Sequence, residues 1–391
     1  MRVVLSTISK FHTFDLAREM DRNNVLVRLF TGRPKWKLRG EDLPMQKVST
    51  FPYFQTVWEA LGRFGWDRYP GKNWLNWQCH KTLDSYVARH LPPCDVFHAL
   101  SYSGLRSGRA AQRTGAAWVC DSPTWHWPYL EDVMREEFDR VGLPYVGAQQ
   151  RFVDYAVASY EGADAITVPS RRANETFLAR GVPASKMAVV PYGADLSRFA
   201  PTKEPRFDRF RVLFVGQVIV RKGIHDLLEG FRLAALPNSE LLIVGPIWAD
   251  GRAILARRSY PGVSVIGAVP STALADYYSS SDVMVLPSIC EGLALVIGQA
   301  LACGCPVIAT PATGAEDLFT DAHEGFLVPE RSPEAIAQAL VWMYEHPDER
   351  QAMRSAARAR VESVAGWEAY GSRMLEVFTA LVSSRVPEAL N

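Results

Sequence analysis

Short runs of aliphatic and β-branched residues alternate along the chain with stretches whose apolar residues recur at helical spacing. The runs predicted to be strands are residues 3–5, 25–27, 95–98, 117–120, 165–168 and 189–191, followed by 211–215, 241–245, 263–266, 283–286 and 306–309. The clearest helical stretches lie near residues 15–21, 223–233, 273–278, 295–303, 333–345 and 348–364. Strands and helices that alternate in this way predict parallel α/β sheets.

A segment without periodicity separates the two series of strands. Residues 199–209 are rich in proline and charge, which is typical of a linker. We therefore predict an α/β protein of two doubly wound, Rossmann-like domains that face each other across a cleft. The N-terminal domain covers residues 1–200 and the C-terminal domain residues 201–391, with a last helix that could return to the N-terminal domain. Ligands bind beyond the carboxyl ends of the strands in such sheets, so the site is expected in the cleft.

Composition narrows the class of protein. The 391 residues are 48% hydrophobic and 22% charged, which is enough apolar material for two cores. The 43 Lys and Arg residues balance 42 Asp and Glu residues, so no basic field attracts nucleic acid. The apolar runs are far shorter than the roughly 20 residues that cross a bilayer, and the first run resembles a strand rather than a signal peptide. These features predict a cytoplasmic protein that does not bind nucleic acid.

The six cysteines do not form a metal-binding pattern. Cys303 and Cys305 have one residue between them, whereas zinc sites prefer about two to four and a second ligand pair. Several of the cysteines lie in apolar segments, where a free thiol behaves as a small core residue. We expect reduced, structural thiols. No Asp-x-Asp motif has a convincing context either, so no metal is expected.

Residues 32–77 depart from the alternating pattern. Basic residues cluster at the start of this segment and aromatic residues follow, namely Arg33, Lys35, Trp36, Lys37, Arg39, Phe51, Tyr53, Phe54, Trp58, Phe64, Trp66, Tyr69, Trp74 and Trp77. One interpretation is an insertion packed on its own domain. The other is a surface that binds an acceptor or a membrane, since aromatic and cationic side chains suit the lipid boundary.

Polar residues stand at both ends of the segment that follows the predicted strand 283–286. Glu291 lies in a loop, and Gln299 is eight positions further on, about 12 Å away if the residues between are helical. Between them, Leu293, Ala294 and Leu295 begin a helix, whose unpaired backbone N–H groups bind anions. This arrangement matches a nucleotide-diphosphate sugar, with its sugar hydroxyls at Glu291, its pyrophosphate at the helix start and its ribose at Gln299.

A second loop, after the predicted strand 211–215, agrees with this interpretation. Gly216 allows the backbone to approach a ligand closely, and Gln217 follows it. Arg221 and Lys222 stand where two cations would face the same diphosphate. Alone, such a loop would be taken for a solvated turn, but beside the Glu291 segment it favours a phosphate site.

Taken in order, these segments resemble glycosyltransferase family 4, whose members are retaining enzymes with the GT-B fold. The resemblance is strongest from residue 189 to about residue 329, and it is carried by residues 190–195, 221–223, 291–295, 302–308, 314–316 and 324–329. It implies a retaining glycosyltransferase that moves a sugar from a nucleotide-diphosphate sugar to an acceptor hydroxyl, in the synthesis of a glycan, glycolipid or polysaccharide. It implies no further cofactor, and an acceptor that is a saccharide or is linked to a lipid.

The sequence departs from the family pattern in three places. Gln299 stands where the family usually has a glutamate for the ribose, and Gln217 stands where it often has an arginine. The loop after the first strand lacks the usual glycines. In that loop Lys10 could supply the anion contact, with His12 beside it on the acceptor side.

The resemblance also implies a histidine or aspartate of the first domain near the sugar. His98 ends one predicted strand, and Asp121 and His126 follow the next. His126 lies in a loop with proline and tryptophan, the kind that lines a cleft, so we favour it over Asp121. The predicted catalytic residues are His126 together with Glu291 and the two cations, which would stabilise the leaving diphosphate.

Two other classes of function remain open on the sequence alone. Another enzyme on this fold would be a sugar-nucleotide epimerase, or a phosphorylase, for which no pyridoxal-bearing lysine is identified. A sugar-nucleotide-binding partner without activity is favoured by Gln217 and Gln299, and it is opposed by Arg221, Lys222 and Glu291.

Overall fold

Two parallel sheets form the frame of the protein. The computed structural model describes residues 1–62, 71–204, 209–364 and 366–385. The first sheet has the order β3-β2-β1-β4-β5-β6-β7, and its strands are β1 (Val3–Thr7), β2 (Leu26–Thr31), β3 (Val48–Thr50), β4 (Val96–Leu100), β5 (Ala117–Asp121), β6 (Ala165–Val168) and β7 (Met187–Val189). The second has the order β10-β9-β8-β11-β12-β13, and its strands are β8 (Phe210–Val215), β9 (Ser239–Val244), β10 (Val263–Gly267), β11 (Val283–Leu286), β12 (Val307–Ala309) and β13 (Gly325–Leu327).

Helices connect the strands. They are α1 (His12–Arg22), α2 (Tyr53–Gly62), α3 (Lys72–His90), α4 (Leu105–Arg113), α5 (Trp127–Arg140), α6 (Gln150–Gly162), α7 (Arg171–Leu178), α8 (Ile224–Ala234), α9 (Ala249–Leu255), α10 (Leu274–Ser279), α11 (Leu295–Ala302), α12 (Pro333–Glu345), α13 (Pro347–Val364) and α14 (Trp367–Ser383). Within the described ranges, none of these helices is both long and apolar enough to span a bilayer.

The central strands are buried along their whole length because both faces of each sheet are covered. Every residue of β1, β4, β5 and β11 is buried. In the first sheet β1 lies between β2 and β4, and in the second β8 lies between β9 and β11. The direction of winding reverses at these two positions, so each sheet has a switch point there. The predicted pair of doubly wound α/β domains is confirmed.

The structure adds elements that the hydrophobic pattern did not predict. The strands β3 and β13 have only three residues each, too few for alternation to be visible. Much of the aromatic segment is helical, forming α2 and the start of α3. Phe51 stacks on Tyr86 at 4.7 Å between ring centroids, and Trp77 meets Phe152 edge-on at 5.2 Å, so part of the segment packs on its own domain. Phe64, Trp66 and Tyr69 lie outside the described residues.

The last helix returns to the N-terminal half of the chain. Helix α14 packs on α1, and a Cβ atom at Gly371 would lie 2.4 Å from the Cβ of Glu19. The ring of Tyr370, also on α14, is 6.2 Å from the ring of His12. The cysteine side chains are buried thiols, as expected from their apolar surroundings.

Candidate functional site

The switch point of the second sheet places two loops side by side. Strand β8 ends at Val215 and the adjacent strand β11 ends at Leu286, so the loops that follow them leave the same edge of the sheet. The first loop contains Arg221 and Lys222, and the second contains Glu291. These are the residues that the sequence predicts at the donor diphosphate and sugar.

The two loops meet through one carboxylate. Lys222 Nζ lies 2.7 Å from Glu291 Oε1, and Arg221 Nη1 lies 3.1 Å from the same oxygen. Arg221 Nη1 also donates a hydrogen bond to the carbonyl of Cys290, at 2.9 Å. Glu291 is only 8% exposed, and burial opposes its ionisation. The charges of Arg221 and Lys222 outweigh burial, so the pKa of Glu291 is lowered and the carboxylate is ionised at neutral pH.

A glycine fixes how closely these loops approach. Gly223 has φ +66°, and a Cβ atom there would lie 1.9 Å from the carbonyl oxygen of Pro287. A side chain at this position would therefore be strained and would push the loops apart. Immediately before it, Val220–Lys222 forms a single turn of 3₁₀ helix, which directs both cations towards Glu291.

The nucleotide end of the predicted site is partly occupied by contacts within the protein. The Tyr278 hydroxyl, which is fully buried, donates a hydrogen bond to Gln299 Oε1 at 3.1 Å. The backbone N–H of Ala294 donates to the carbonyl of Thr313 at 3.0 Å, so that group is already paired. Leu293 is buried and Leu295 is exposed at the start of α11. Gln217 is exposed and Gly216 is partly exposed, beside the Lys222 side chain.

The N-terminal half of the chain closes directly over Glu291. A Cβ atom at Gly292 would lie 1.9 Å from the carbonyl oxygen of Pro123, and Ser170 Oγ donates to the carbonyl of Gly292 at 2.5 Å. A pocket of about 780 Å³ lies at this junction. Arg221, Glu291 and Gly292 line it from one side, and the other side is formed by Phe11, Lys72, Asn73, Asn76, His80, Tyr102, Pro123, Thr124, Trp127, Leu130, 146–149 and Phe152.

His80 was not among the predicted site residues. It is 8% exposed, its Nδ1 atom has no hydrogen-bond partner among the described residues, and burial lowers its pKa to about 4. A signal was present in the sequence, because Lys72, Asn76 and His80 are spaced by four residues and so share one face of α3. Polar residues at this spacing on a helix among aromatic residues indicate a face that turns towards a ligand or solvent.

The predicted acceptor-side residues divide into a buried group and an exposed one. His12 Nε2 lies 2.5 Å from Asp121 Oδ2, and His98 Nε2 lies 4.0 Å from the same oxygen. Burial opposes ionisation of Asp121, but the His12 charge and hydrogen bond dominate, and the pKa of Asp121 is lowered. Burial lowers the pKa of His98 to about 4. Lys10 points elsewhere, and its ammonium pairs with Glu41 at 2.9 Å.

His126 does not reach the pocket that contains Glu291. Its ring is 6% exposed and lies against Tyr160 and Phe177, with centroids 5.2 and 5.1 Å away. It lines a different pocket, of about 400 Å³, together with Arg180 and Lys186. Burial, with a smaller contribution from Arg180, lowers the pKa of His126 to about 4. The structure therefore does not bring His126 together with Arg221, Lys222 and Glu291.

Comparison with known proteins identifies the family of this chain. Residues 199–360 match the family described as glycosyl transferases group 1, and residues 10–193 match the glycosyl transferase 4-like domain. A GDP-mannose-dependent alpha-mannosyltransferase of Mycobacterium tuberculosis is 34% identical over 64% of this chain and 70% of that protein. A protein of Bacillus subtilis named as a teichuronic acid biosynthesis glycosyltransferase is 27% identical over 80% of this chain and 74% of its own.

Solved structures show the same architecture. Anabaena HepE in complex with UDP superimposes with a TM-score of 0.71 at 16% identity, covering 97% of this chain and 100% of that one. The chain spans little more than half the length of several further curated relatives. The two family matches and the mannosyltransferase relative, together with the GT-B architecture, show that this chain belongs to the group 1, family 4 glycosyltransferases and is a sugar-transferring enzyme.

Proposed function

We propose that the protein is a retaining glycosyltransferase whose donor is a nucleotide-diphosphate sugar bound at the second-sheet switch point. The observation that carries this proposal is the convergence of Arg221 and Lys222 on the buried carboxylate of Glu291. Two cations and one carboxylate leave one unit of positive charge in a partly desolvated cleft. A diphosphate is the anion that such a cleft favours.

In the proposed reaction the bond between the anomeric carbon and the diphosphate oxygen breaks, and the electron pair goes to the diphosphate. Arg221 and Lys222 stabilise the negative charge that develops there. Glu291 accepts hydrogen bonds from the sugar hydroxyls and fixes the sugar relative to the diphosphate. The oxygen of the acceptor hydroxyl then forms the new bond on the face that the diphosphate leaves and gives its proton to the departing diphosphate oxygen, so the anomeric configuration is retained.

The product anomer tests this proposal. Purified protein is incubated with UDP-, GDP- and ADP-sugars of α configuration and a panel of acceptors, and the product is analysed by NMR. We expect an α-linked product. We also expect activity in EDTA, because side-chain cations take the role that a metal would otherwise have. An inverted product would contradict the proposal. Complete loss of activity in EDTA, with recovery in Mn²⁺ or Mg²⁺, would contradict it as well.

Gln299 gives a prediction at the nucleotide end of the site. A carboxylate accepts both hydroxyls of a ribose diol with charge assistance, whereas Gln299 already accepts the Tyr278 hydroxyl through Oε1. A charged hydrogen bond is stronger than a neutral one by roughly 1 kcal/mol. We expect Gln299→Glu to tighten nucleoside diphosphate binding a few-fold by calorimetry, and Gln299→Ala to weaken it. Unchanged affinity in both variants would show that residue 299 does not contact the nucleotide.

The pocket over Glu291 supports a saccharide as the acceptor. Aromatic rings of Phe11 and Trp127 line it, and so do the carboxamides of Asn73 and Asn76. His80 is neutral at pH 7 because burial lowers its pKa, so it can exchange hydrogen bonds with hydroxyls but offers no charge to an anion. Apolar rings and neutral hydrogen-bonding groups together suit a sugar.

A lipid-linked saccharide would also require contact with a membrane, and the aromatic segment offers one. Trp36, Tyr53 and Trp74 are 60%, 70% and 55% exposed. Trp58 is unsuitable for this contact because it is partly buried against the core, and Trp66 lies outside the described residues. We propose a cytoplasmic enzyme that binds the membrane peripherally through residues 32–77.

Liposome binding tests the membrane contact. We expect the protein to cosediment with anionic liposomes at low salt, and to lose this binding as salt rises because basic residues contribute to it. Trp36→Ala combined with Trp74→Ala should weaken cosedimentation and leave the affinity for nucleoside diphosphates unchanged. If the unaltered protein does not cosediment at low salt, the acceptor is soluble and the aromatic segment serves packing alone.

A further inference from the structure

A group of five charged side chains joins the two halves of the molecule away from the pocket. We call Glu137, Arg140, His225, Asp226 and Arg331 the interdomain ion cluster. Glu137 and Arg140 lie on α5 of the N-terminal half, whereas the other three lie on α8 and after β13 of the C-terminal half. Glu137 is fully buried and Asp226 is 3% exposed, so their charges are largely removed from water.

Glu137 is the centre of the cluster. Its Oε1 atom lies 2.7 Å from His225 Nε2 and 2.6 Å from Arg140 Nη2, and its Oε2 atom lies 2.7 Å from Arg331 Nε. Arg140 Nη2 also crosses to Asp226 Oδ2 at 2.7 Å. Burial opposes ionisation of Glu137, but the hydrogen bonds from His225 and Arg140 outweigh it and the pKa falls to about 2. Glu137 is therefore charged at neutral pH.

The same carboxylates and imidazole could in principle hold a metal ion, since one ligand atom from each of Glu137, His225 and Asp226 lies within 4.8 Å of the others. The guanidinium of Arg140 already lies within 2.9 Å of all three side chains. It supplies the positive charge that a metal would bring, so the arrangement is that of an ion-pair network across an interface.

Both helices of the cluster begin at the active site. Helix α5 starts at Trp127, which lines the pocket over Glu291. Helix α8 starts at Ile224, directly after Gly223 and the two cations of the donor loop. His225 and Asp226 thus lie in the first turn of the helix that follows Arg221, Lys222 and Gly223. One turn of helix therefore separates the cluster from the donor loop, so a shift of His225 and Asp226 also shifts the donor loop.

We propose that the interdomain ion cluster is a clamp that holds the cleft closed and positions Arg221 and Lys222 against the N-terminal half, with Glu137 as its central positioning residue. This proposal rests on the donor site proposed above. The cluster, which lies outside the pocket, then affects catalysis but not nucleotide binding. The reason is that the donor loop and Glu291 belong to one domain and can bind a diphosphate while the cleft is open.

The test compares Glu137→Gln with Glu136→Gln. Glu136 is the adjacent residue, its side chain is 67% exposed, and it touches only the rim of the cluster through Arg331 at 3.4 Å. For Glu137→Gln we expect kcat to fall about tenfold or more, since small misplacements of reacting groups are costly. We expect the affinity for UDP or GDP by calorimetry to change less than threefold, and small-angle scattering to show a larger radius of gyration. Glu136→Gln should match the wild type in all three measurements.

A second variant covers the case in which Glu137→Gln does not fold. Arg331 is 35% exposed and reaches Glu137 and Glu136 from the other domain, so Arg331→Gln removes these two interdomain ion pairs without burying an unpaired group. We expect Arg331→Gln to lower kcat by a smaller factor than Glu137→Gln does, and to leave the nucleotide affinity unchanged. The clamp would be overturned if folded Glu137→Gln had the kcat and the radius of gyration of the wild type. If Glu137→Gln does not fold, the same result in Arg331→Gln would overturn it. Failure of the wild type itself to bind UDP, GDP or ADP would instead overturn the donor site.

Discussion

We expect Lys222→Ala and Arg221→Ala each to lower kcat by roughly 10²-fold or more, a loss of about 3 kcal/mol of transition-state stabilisation. Lys222 is only 11% exposed at its side chain, so its charge acts in a medium that screens it less than water does. Negative charge on the diphosphate increases as the sugar departs, and a nearby cation is therefore most valuable in the transition state. Single-turnover transfer with saturating donor measures the effect on the chemical step.

A surface variant separates this effect from a general loss of charge. Arg232→Ala removes a cation from the helix that follows the donor loop, where Arg232 pairs with Glu229 in an exposed position. We expect Arg232→Ala to transfer at the wild-type rate. If folded Lys222→Ala and Arg221→Ala also transfer at that rate, the diphosphate does not lie between these two cations.

We expect Glu291→Gln to slow sugar transfer and to tighten nucleotide binding. The carboxamide has nearly the shape of the carboxylate but accepts sugar hydroxyls without charge assistance, so we expect transfer to fall about 10²-fold. The same change removes the anion that now pairs with Arg221 and Lys222 at 3.1 and 2.7 Å. A diphosphate then no longer competes with a carboxylate for these cations, and we expect UDP or GDP to bind several-fold more tightly.

Slower transfer combined with tighter nucleotide binding is an outcome specific to Glu291. A matched control is Glu334→Gln, which removes the same charge from an exposed position in the first turn of α12. It should change neither transfer nor calorimetric affinity. Weaker nucleotide binding in Glu291→Gln, at an unchanged melting temperature, would mean that the carboxylate does not face the diphosphate cations during binding.

The meeting of Arg221, Lys222 and Glu291 could be predicted from the sequence because these residues lie in two short segments that follow recognisable strands. Arg221 and Lys222 follow β8, and Glu291 follows β11. Once the two strands are adjacent in a parallel sheet, both loops must leave the same edge. Local sequence and one topological rule therefore suffice to bring these residues together.

The acceptor half could not be predicted in the same way. His126 follows a strand as Glu291 does, but the direction of its ring depends on Tyr160 and Phe177, which lie on two helices further along the chain. The pairing of His12 with Asp121 joins residues 109 positions apart. Hydrophobic periodicity gives the position of an element and its buried face, and it gives no orientation for a loop side chain that several elements surround.

The interdomain ion cluster shows the same limit more strongly. Glu137 and Arg331 are separated by 194 positions, and each would be assigned to a solvated face from its local sequence. In the folded molecule Glu137 is fully buried, and His225 and Arg331 of the other half lie against it. Contacts between the two domains therefore cannot be predicted from the local sequence pattern around each residue.

The most direct test of the donor site is a crystal structure of the protein with UDP or GDP bound. We predict diphosphate oxygens within about 3 Å of the Arg221 guanidinium and of Lys222 Nζ, with Glu291 released from at least one of these cations. A nucleotide bound elsewhere, with both ion pairs to Glu291 unchanged, would contradict the account.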